Sequence, residues 1–377
     1  MFAALTSLTL TAILALPTRT QAPVVPAAPA QDERTEATPA RPLDDAALRA
    51  LSFDLLGRPP LEAERTQWLG RSRDELVAAL LASREAWTQW VEEQLYYFLL
   101  IDNFRPENER VDTLPELLAA GRLDVRSAIH RIALSPSFDQ RNPGADTFVT
   151  VVMEQLNGIR VQKNVRELDV GKQIYDGKPG TFLGKSGATQ SDLLRIAIED
   201  RSFAQTFLAR EYKRIVRAEP DKTRLAEEVR RFQRDPGEFR AIFAGWFASA
   251  EWEARVGTHV TAPNRLWIQA LYVDLLGRPP QPDEARRLRT ALDGLSDTGP
   301  LRSVLARVLI DSGAVKVPEK ATISDPTAWI SGLFRRLFGR EASPDELREF
   351  VTAFHDPACR PQTVLYALVT HPEYQTY

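Results

Sequence analysis

Apolar residues recur along this chain at helical spacing. Trp329, Leu333 and Leu337 stand four apart, with Ile330, Phe334 and Phe338 beside them, which makes one broad apolar helical face. Gly339 follows where a helix commonly ends in the left-handed conformation, which glycine enters without a steric penalty. Ser343-Pro344-Asp345-Glu346 then restarts a helix, with a serine cap, proline at the first position and glutamate at the third completing a capping box. Gln281-Pro282-Asp283-Glu284 repeats this with a poorer cap. Residues 148–153 and 256–261 are the only stretches that suit strands, and both are short. The pattern predicts an all-α fold of repeated helix-turn-helix modules packed as a helical array.

The repeat is explicit in one string. Asp-Leu-Leu-Gly-Arg-Pro-Pro occurs at 54–60 and again at 274–280. Around it Leu51, Phe53, Gly57, Arg58 and Glu64 correspond to Leu271, Val273, Gly277, Arg278 and Glu284. A third copy reads Leu333, Arg335, Gly339, Arg340 and Glu346, and weaker relatives lie at 212–223 and 156–158. Each opening element is followed by a closing one, an apolar helix ending in a small polar residue with an aromatic three or four positions on. The closing segments are 76–87, 127–138, 193–203, 239–252, 304–315 (aromatic lost) and 364–374. One unit therefore spans roughly 55 residues, near the upper end of helical-repeat periods. The expected division is 43–140 and 141–258, each of several modules, then single modules at 259–318 and 319–377.

The motif residues read as structural. Arg58, Arg278 and Arg340 can bond free carbonyls at their helix ends or the carboxylates of Glu64, Glu284 and Glu346; an anion or partner contact is the other reading. Asp54 and Asp274 stand four residues before their Arg, but the third copy has Arg336 there, so an Asp–Arg pair is not the common function of the motif. Trp87, Phe138, Phe203, Trp252 and Tyr374 fall just past helix ends, where a large ring can wedge against the next module and help fix its angle.

Candidate chemistry is sparse. The loop 177–187 is rich in Gly and Lys, but a phosphate-cradling loop needs a glycine where Pro179 stands, and a strand before it. A surface loop capped by Thr189 or Ser191 before a helix from Asp192 is expected. Lys178, Lys185 and Ser186 are the candidates if a ligand binds there, in a pocket near 171–191. His130, His259, His355 and His371 show no ligand spacing, and Cys359 has no evident activating partner beyond a triad-like grouping with His355 and Asp356. No catalytic, cofactor-binding or metal-ligating residue is assigned. The single cysteine leaves no intrachain disulfide framework, Cys-rich zinc site or c-type haem motif. Forty-eight basic against fifty-one acidic side chains give −3, which argues against a dedicated nucleic-acid binder.

The N-terminal run over 2–16 is apolar (Phe2, Leu5, Leu8, Leu10, Ile13, Leu14, Leu16) yet shorter than the about 20 residues a membrane span needs. Thr20-Gln21-Ala22 puts a small residue at a cleavage point, so 1–22 is expected to be a signal peptide, with an uncleaved anchor as the rival. Residues 23–42, with Pro23, Pro26, Pro29, Pro39 and Pro42, are expected to be a disordered Pro/Ala-rich linker.

The opening motif at 271–284, L-Y-x-D-L-L-G-R-P-P-x-P-x-E, followed by a helix ending near S-x-x-aromatic, resembles two sets of bacterial helical domains. One is a group of uncharacterised domains abundant in planctomycetes and often fused to cytochrome-c-type modules in exported proteins. The other is a domain of unknown function in secreted proteins, distantly like phycobilisome linker modules. The likeness is clearest over 47–87, 264–315 and 327–377. It implies an exported, non-catalytic helical protein. The repetition, the lack of a catalytic constellation and the tethering linker add the expectation of a periplasmic or secreted helical-repeat protein acting in protein–protein interaction or scaffolding at the cell envelope. Its partner would be another envelope protein, without nucleic acid, cofactor or a transmembrane span after signal removal. A haem role is not implied, since no C-x-x-C-H motif is present. The alternative is an accessory to an electron-transfer or hydrolytic enzyme system, with its ligand pocket near 171–191.

Overall fold

The computed structural model describes residues 42–99 and 111–377, which belong to one compact unit. The expected signal peptide, and all of the expected linker except Pro42, lie outside the described residues. Among the described residues there are twenty α-helices and two three-residue strands, so the fold is all-α.

Five times, an opening helix ends at or beside a left-handed residue and an arm helix follows. The pairs are Asp45–Leu56 with Glu62–Trp68, Arg201–Val216 with Lys222–Arg234, Asn264–Leu276 with Pro282–Asp293, and Pro326–Phe338 with Pro344–His355. Gly144–Val151, prolonged by the π-helical turn Val152–Leu156, pairs in the same way with Val165–Tyr175. The left-handed residues are Gly57, Gly158, Arg217, Gly277 and Gly339, with φ between 60° and 72°. The two weaker relatives thus have the shape of the clear copies, and Arg217 takes the glycine position despite its side chain. Arg84–Leu99, Leu114–Ala119 and the closing helix Val125–Ala133 make up a further module, the second in chain order of six among the described residues.

Closing helices pack on one another in pairs. Arg73–Leu81 meets Phe239–Phe247, Val125–Ala133 meets Gln190–Glu199, and Gly299–Asp311 meets Pro361–Val369. The first module therefore joins the fourth, the second joins the third, and the fifth joins the sixth. Beyond each of five closing helices a polar side chain caps a new helical turn: Ser83, Ser135, Asp200, Ser249 and His371. The aromatics accordingly sit in the first turn of the next helical element, and all five are buried. The capping acceptor, an oxygen in four cases and Nδ1 in His371, satisfies an orphan amide while the ring turns inward.

Two apolar clusters result. One runs from Leu43 to Trp252, and the other joins Phe53 to residues 262–374. Phe53 lies on the first opening helix, so that helix serves both. The turn of the sixth module also rests on it, since a Cβ added at Gly339 would come within 3.1 Å of the Ala46 Cα.

Two local expectations are corrected. Residues 148–153 are helical: Phe148, Val149, Val152, Met153 and Leu156 are all buried, and the i, i+4 pairs outweigh strand propensity. Within 256–261 only Thr261 makes a bridge, to Thr376. Strands occur instead in the Gly-rich segment, where Gly180–Phe182 pairs antiparallel with Lys185–Gly187. Leu183 and Gly184 both have positive φ, the two-residue hairpin turn whose twist suits the strands. Thr189 caps the following helix, which begins at Gln190. No helix of the described residues is long and apolar enough to cross a membrane.

Candidate functional site

The Gly-Arg turns form a set of guanidinium forks. At the first, Gly57 ends the opening helix and turns Arg58 back over the arm helix. Arg58 Nη1 and Nη2 donate to Glu64 at 2.8 Å each, and Nε and Nη2 donate to Glu85 at 2.6 and 3.0 Å. Nη1 also reaches the Pro59 carbonyl at 3.0 Å. Glu64 meanwhile accepts the Leu61 amide at 2.7 Å, so one carboxylate both caps the arm helix and clamps the turn. Arg340 repeats the arrangement with Glu346 at 2.9 and 2.8 Å and Glu373 at 2.7 and 2.5 Å. Arg278 binds Glu284 at 2.9 and 3.1 Å and the Pro279 carbonyl at 3.0 Å.

The forks fix the charges of their members. Burial opposes the charge of Arg58, but Glu64 and Glu85 overcome it and hold the guanidinium above its ordinary range. The Arg340 hydrogen bonds, against a smaller opposing effect of burial and with help from Ser343, pull Glu346 down to about 2. A carboxylate lowered on folding stabilises the fold above its unfolded value, and that contribution fades as protons are added. The stability gap between the parent and Glu346→Gln should therefore be full above about pH 4.5 and close as the pH falls toward 2. Paired denaturation curves across this window check it, and a gap independent of pH would contradict it.

A second set of bonds starts from the aspartates. Asp54 accepts Trp252 Nε1 at 2.9 Å and is ion-paired with Arg255, both carried by the short helix after the fourth closing helix. Asp274 accepts the Tyr374 hydroxyl at 2.9 Å and Arg49 Nη2 at 3.0 Å. In both cases the aspartate of the repeated string receives the closing aromatic of a different module together with an arginine from far along the chain. Burial drives Asp54 above the usual carboxylate range and Arg255 below the usual guanidinium range, although each favours the other's charge. In the third string Arg336 replaces the aspartate, and its main-chain carbonyl accepts Arg49 at 2.9 Å. In the fourth module Arg214 stands there and pairs with buried Glu211 at 3.0 Å, which also accepts Trp90 Nε1 and the Gln94 amide. Arg49, Trp90, Gln94, Glu211 and Arg255 were not legible as a set, because nothing local in the sequence marks them.

Lys185 is exposed and paired with Glu199 at 3.2 Å, and Ser186 lies opposite Thr181 in the hairpin. Lys178 is exposed at the base of the hairpin, its amide bonded to the Gln173 carbonyl. The hairpin is pinned by the buried Phe182 ring. His371 caps the last turn through Nδ1, and His259 Nδ1 lies 3.1 Å from the Thr376 hydroxyl. The main-chain carbonyls of Asp356 and Cys359 are joined by Lys320 Nζ at 2.6 and 3.0 Å. No group of three or more His, Cys, Asp or Glu among the described residues is disposed to hold a metal ion.

What this arrangement does chemically is fasten one helix to another. Charged forks close the three Gly-Arg turns, and buried aspartates draw in donors from other modules. No family model, curated protein or solved structure matches the chain.

Proposed function

We propose that this protein is an exported, non-catalytic helical-repeat scaffold that binds another protein of the cell envelope. The observation that carries the reading is an apolar ridge on the fifth module. Val304 and Val308 lie one turn apart on the closing helix Gly299–Asp311 and are 55% and 61% exposed, with Leu295 exposed beside the start of that helix. Elsewhere such helices bury their apolar face against other modules, so a ridge left in water is suited to receive a helix from outside. The apolar segment 2–16 followed by a small residue at Ala22 supports export, and the proline-rich stretch 23–42 supports a tether between envelope and array.

Cross-linking mass spectrometry on the envelope fraction of the source cells tests this. The expected result is one stoichiometric partner cross-linked to this chain, with the links lost in the double variant Val304→Asp/Val308→Asp. Finding the protein only in the cytosol, or links confined to its own chain, would overturn the reading.

A further inference from the structure

The same seven-residue string is buried in one copy and open in the other. Residues 51–60 of the first module are buried throughout, whereas Gly277, Arg278 and Pro279 of the fifth are exposed. The Arg58 side chain is 4% exposed and the Arg278 side chain 44%. A Cβ added at Gly57 would run into the Gln89 amide, while one added at Gly277 would meet nothing within 4 Å.

What covers the first copy is specific. The helix Arg84–Leu99 lays its first two turns over it, with Glu85 completing the Arg58 fork and Gln89 against Gly57. Arg340 likewise takes a second carboxylate from Glu373, in the helical turn opened by His371. In both sister sites the second acid lies in the first turn of a new helical element, one or two residues before an aromatic: Glu85 before Trp87, Glu373 before Tyr374. The fifth module has lost that element, because its closing helix is followed by Ser312-Gly313-Ala314-Val315, with neither acid nor ring. Among the described residues Arg278 has Glu284 and no second carboxylate. Its guanidinium is nevertheless held in place, forked to Glu284 and lying over the buried Tyr272 ring at 5.5 Å, as Arg340 lies over Phe334 at 5.4 Å.

We infer that the turn 277–280 is a docking site for a helix of a partner protein whose first turn carries a glutamate. The glutamate fills the open Nε edge of Arg278, and the following turn of the partner helix rests on bare Gly277. Charge complementarity selects the acid, and the sister sites show how such an acid is presented. The inference rests on the scaffold reading and gives that reading a recognition chemistry.

The probe is a fluorescein-labelled, hydrocarbon-stapled helical peptide with the sequence of residues 83–94, titrated with the full chain and followed by anisotropy. Saturable one-to-one binding is expected, weakened about tenfold or more by Arg278→Gln in the protein and by Glu85→Gln in the peptide. Because Arg278 is half in water, the Arg278→Gln variant should remain folded. Pro279→Glu, which sets a competing carboxylate beside the fork, should weaken binding equally and guards against a folding defect in the first variant. No binding, or binding indifferent to both protein variants, overturns the site. That failure with envelope cross-links still found at the valine ridge would leave the scaffold standing, whereas peptide binding as expected without any partner in cells would keep the site and remove the scaffold.

Discussion

Trp252→Ala should lower the unfolding free energy by about 3–5 kcal/mol, the range for emptying a well-packed core of an aromatic side chain. The ring is fully buried and meets Phe247 edge-on at 5.8 Å between centroids. The Arg73 and Arg255 guanidinium groups each lie 5.6 Å from its centroid. Truncation removes these contacts and also the indole N–H that Asp54 accepts, so a cavity and a poorer buried carboxylate arise together. Urea unfolding followed by circular dichroism measures the loss. A cost below about 1 kcal/mol would mean that Trp252 does not wedge the fourth module against the first.

Asp54→Ala should cost about 3–5 kcal/mol, because it leaves the Arg255 cation inside the protein without its acid. The carboxylate and the guanidinium are each nearly inaccessible, and the Arg255 Nε already lacks a hydrogen-bond partner. Arg255→Met in the same background should recover part of the loss, since an apolar side chain of similar length no longer needs a counter-charge. Chemical denaturation of the single and double variants gives both numbers, and a near-neutral Asp54→Ala would show that this pair does not hold the seam.

The parts of this account that could be read from sequence are those closed within a few residues. A glycine at a helix end, a proline at the next helix start and a glutamate six residues after the arginine all act across one turn, so Gly57-Arg58-Glu64 and its two sisters were visible as a unit. The opening element at 212–223 was visible although its glycine is Arg217, because the helix, cap and arm around it keep their pattern. The second layer was not visible. Asp54 and Trp252 are 198 positions apart, and Asp274 and Arg49 are 225 apart. A buried aspartate demands donors, but sequence does not say which distant ones arrive. Residues 148–153 differ for another reason: Phe, Val and Thr in succession suit a strand, and burial of the helical face Phe148, Val149, Val152, Met153 and Leu156, with Phe148 against Phe138 and Tyr175, outweighs that propensity. The hairpin at 180–187 escaped notice because Gly, Lys and Ser give no alternating pattern. It is set by the turn at Leu183-Gly184 and by one anchor, Phe182.

The central claim is that modules distant in sequence are fastened through the aspartate of one and the closing aromatic of another. A double-mutant cycle of Asp54→Ala and Trp252→Ala measures that fastening as a coupling energy. The claim predicts that the double variant costs less than the sum of the singles by at least about 1 kcal/mol. Strict additivity would contradict it.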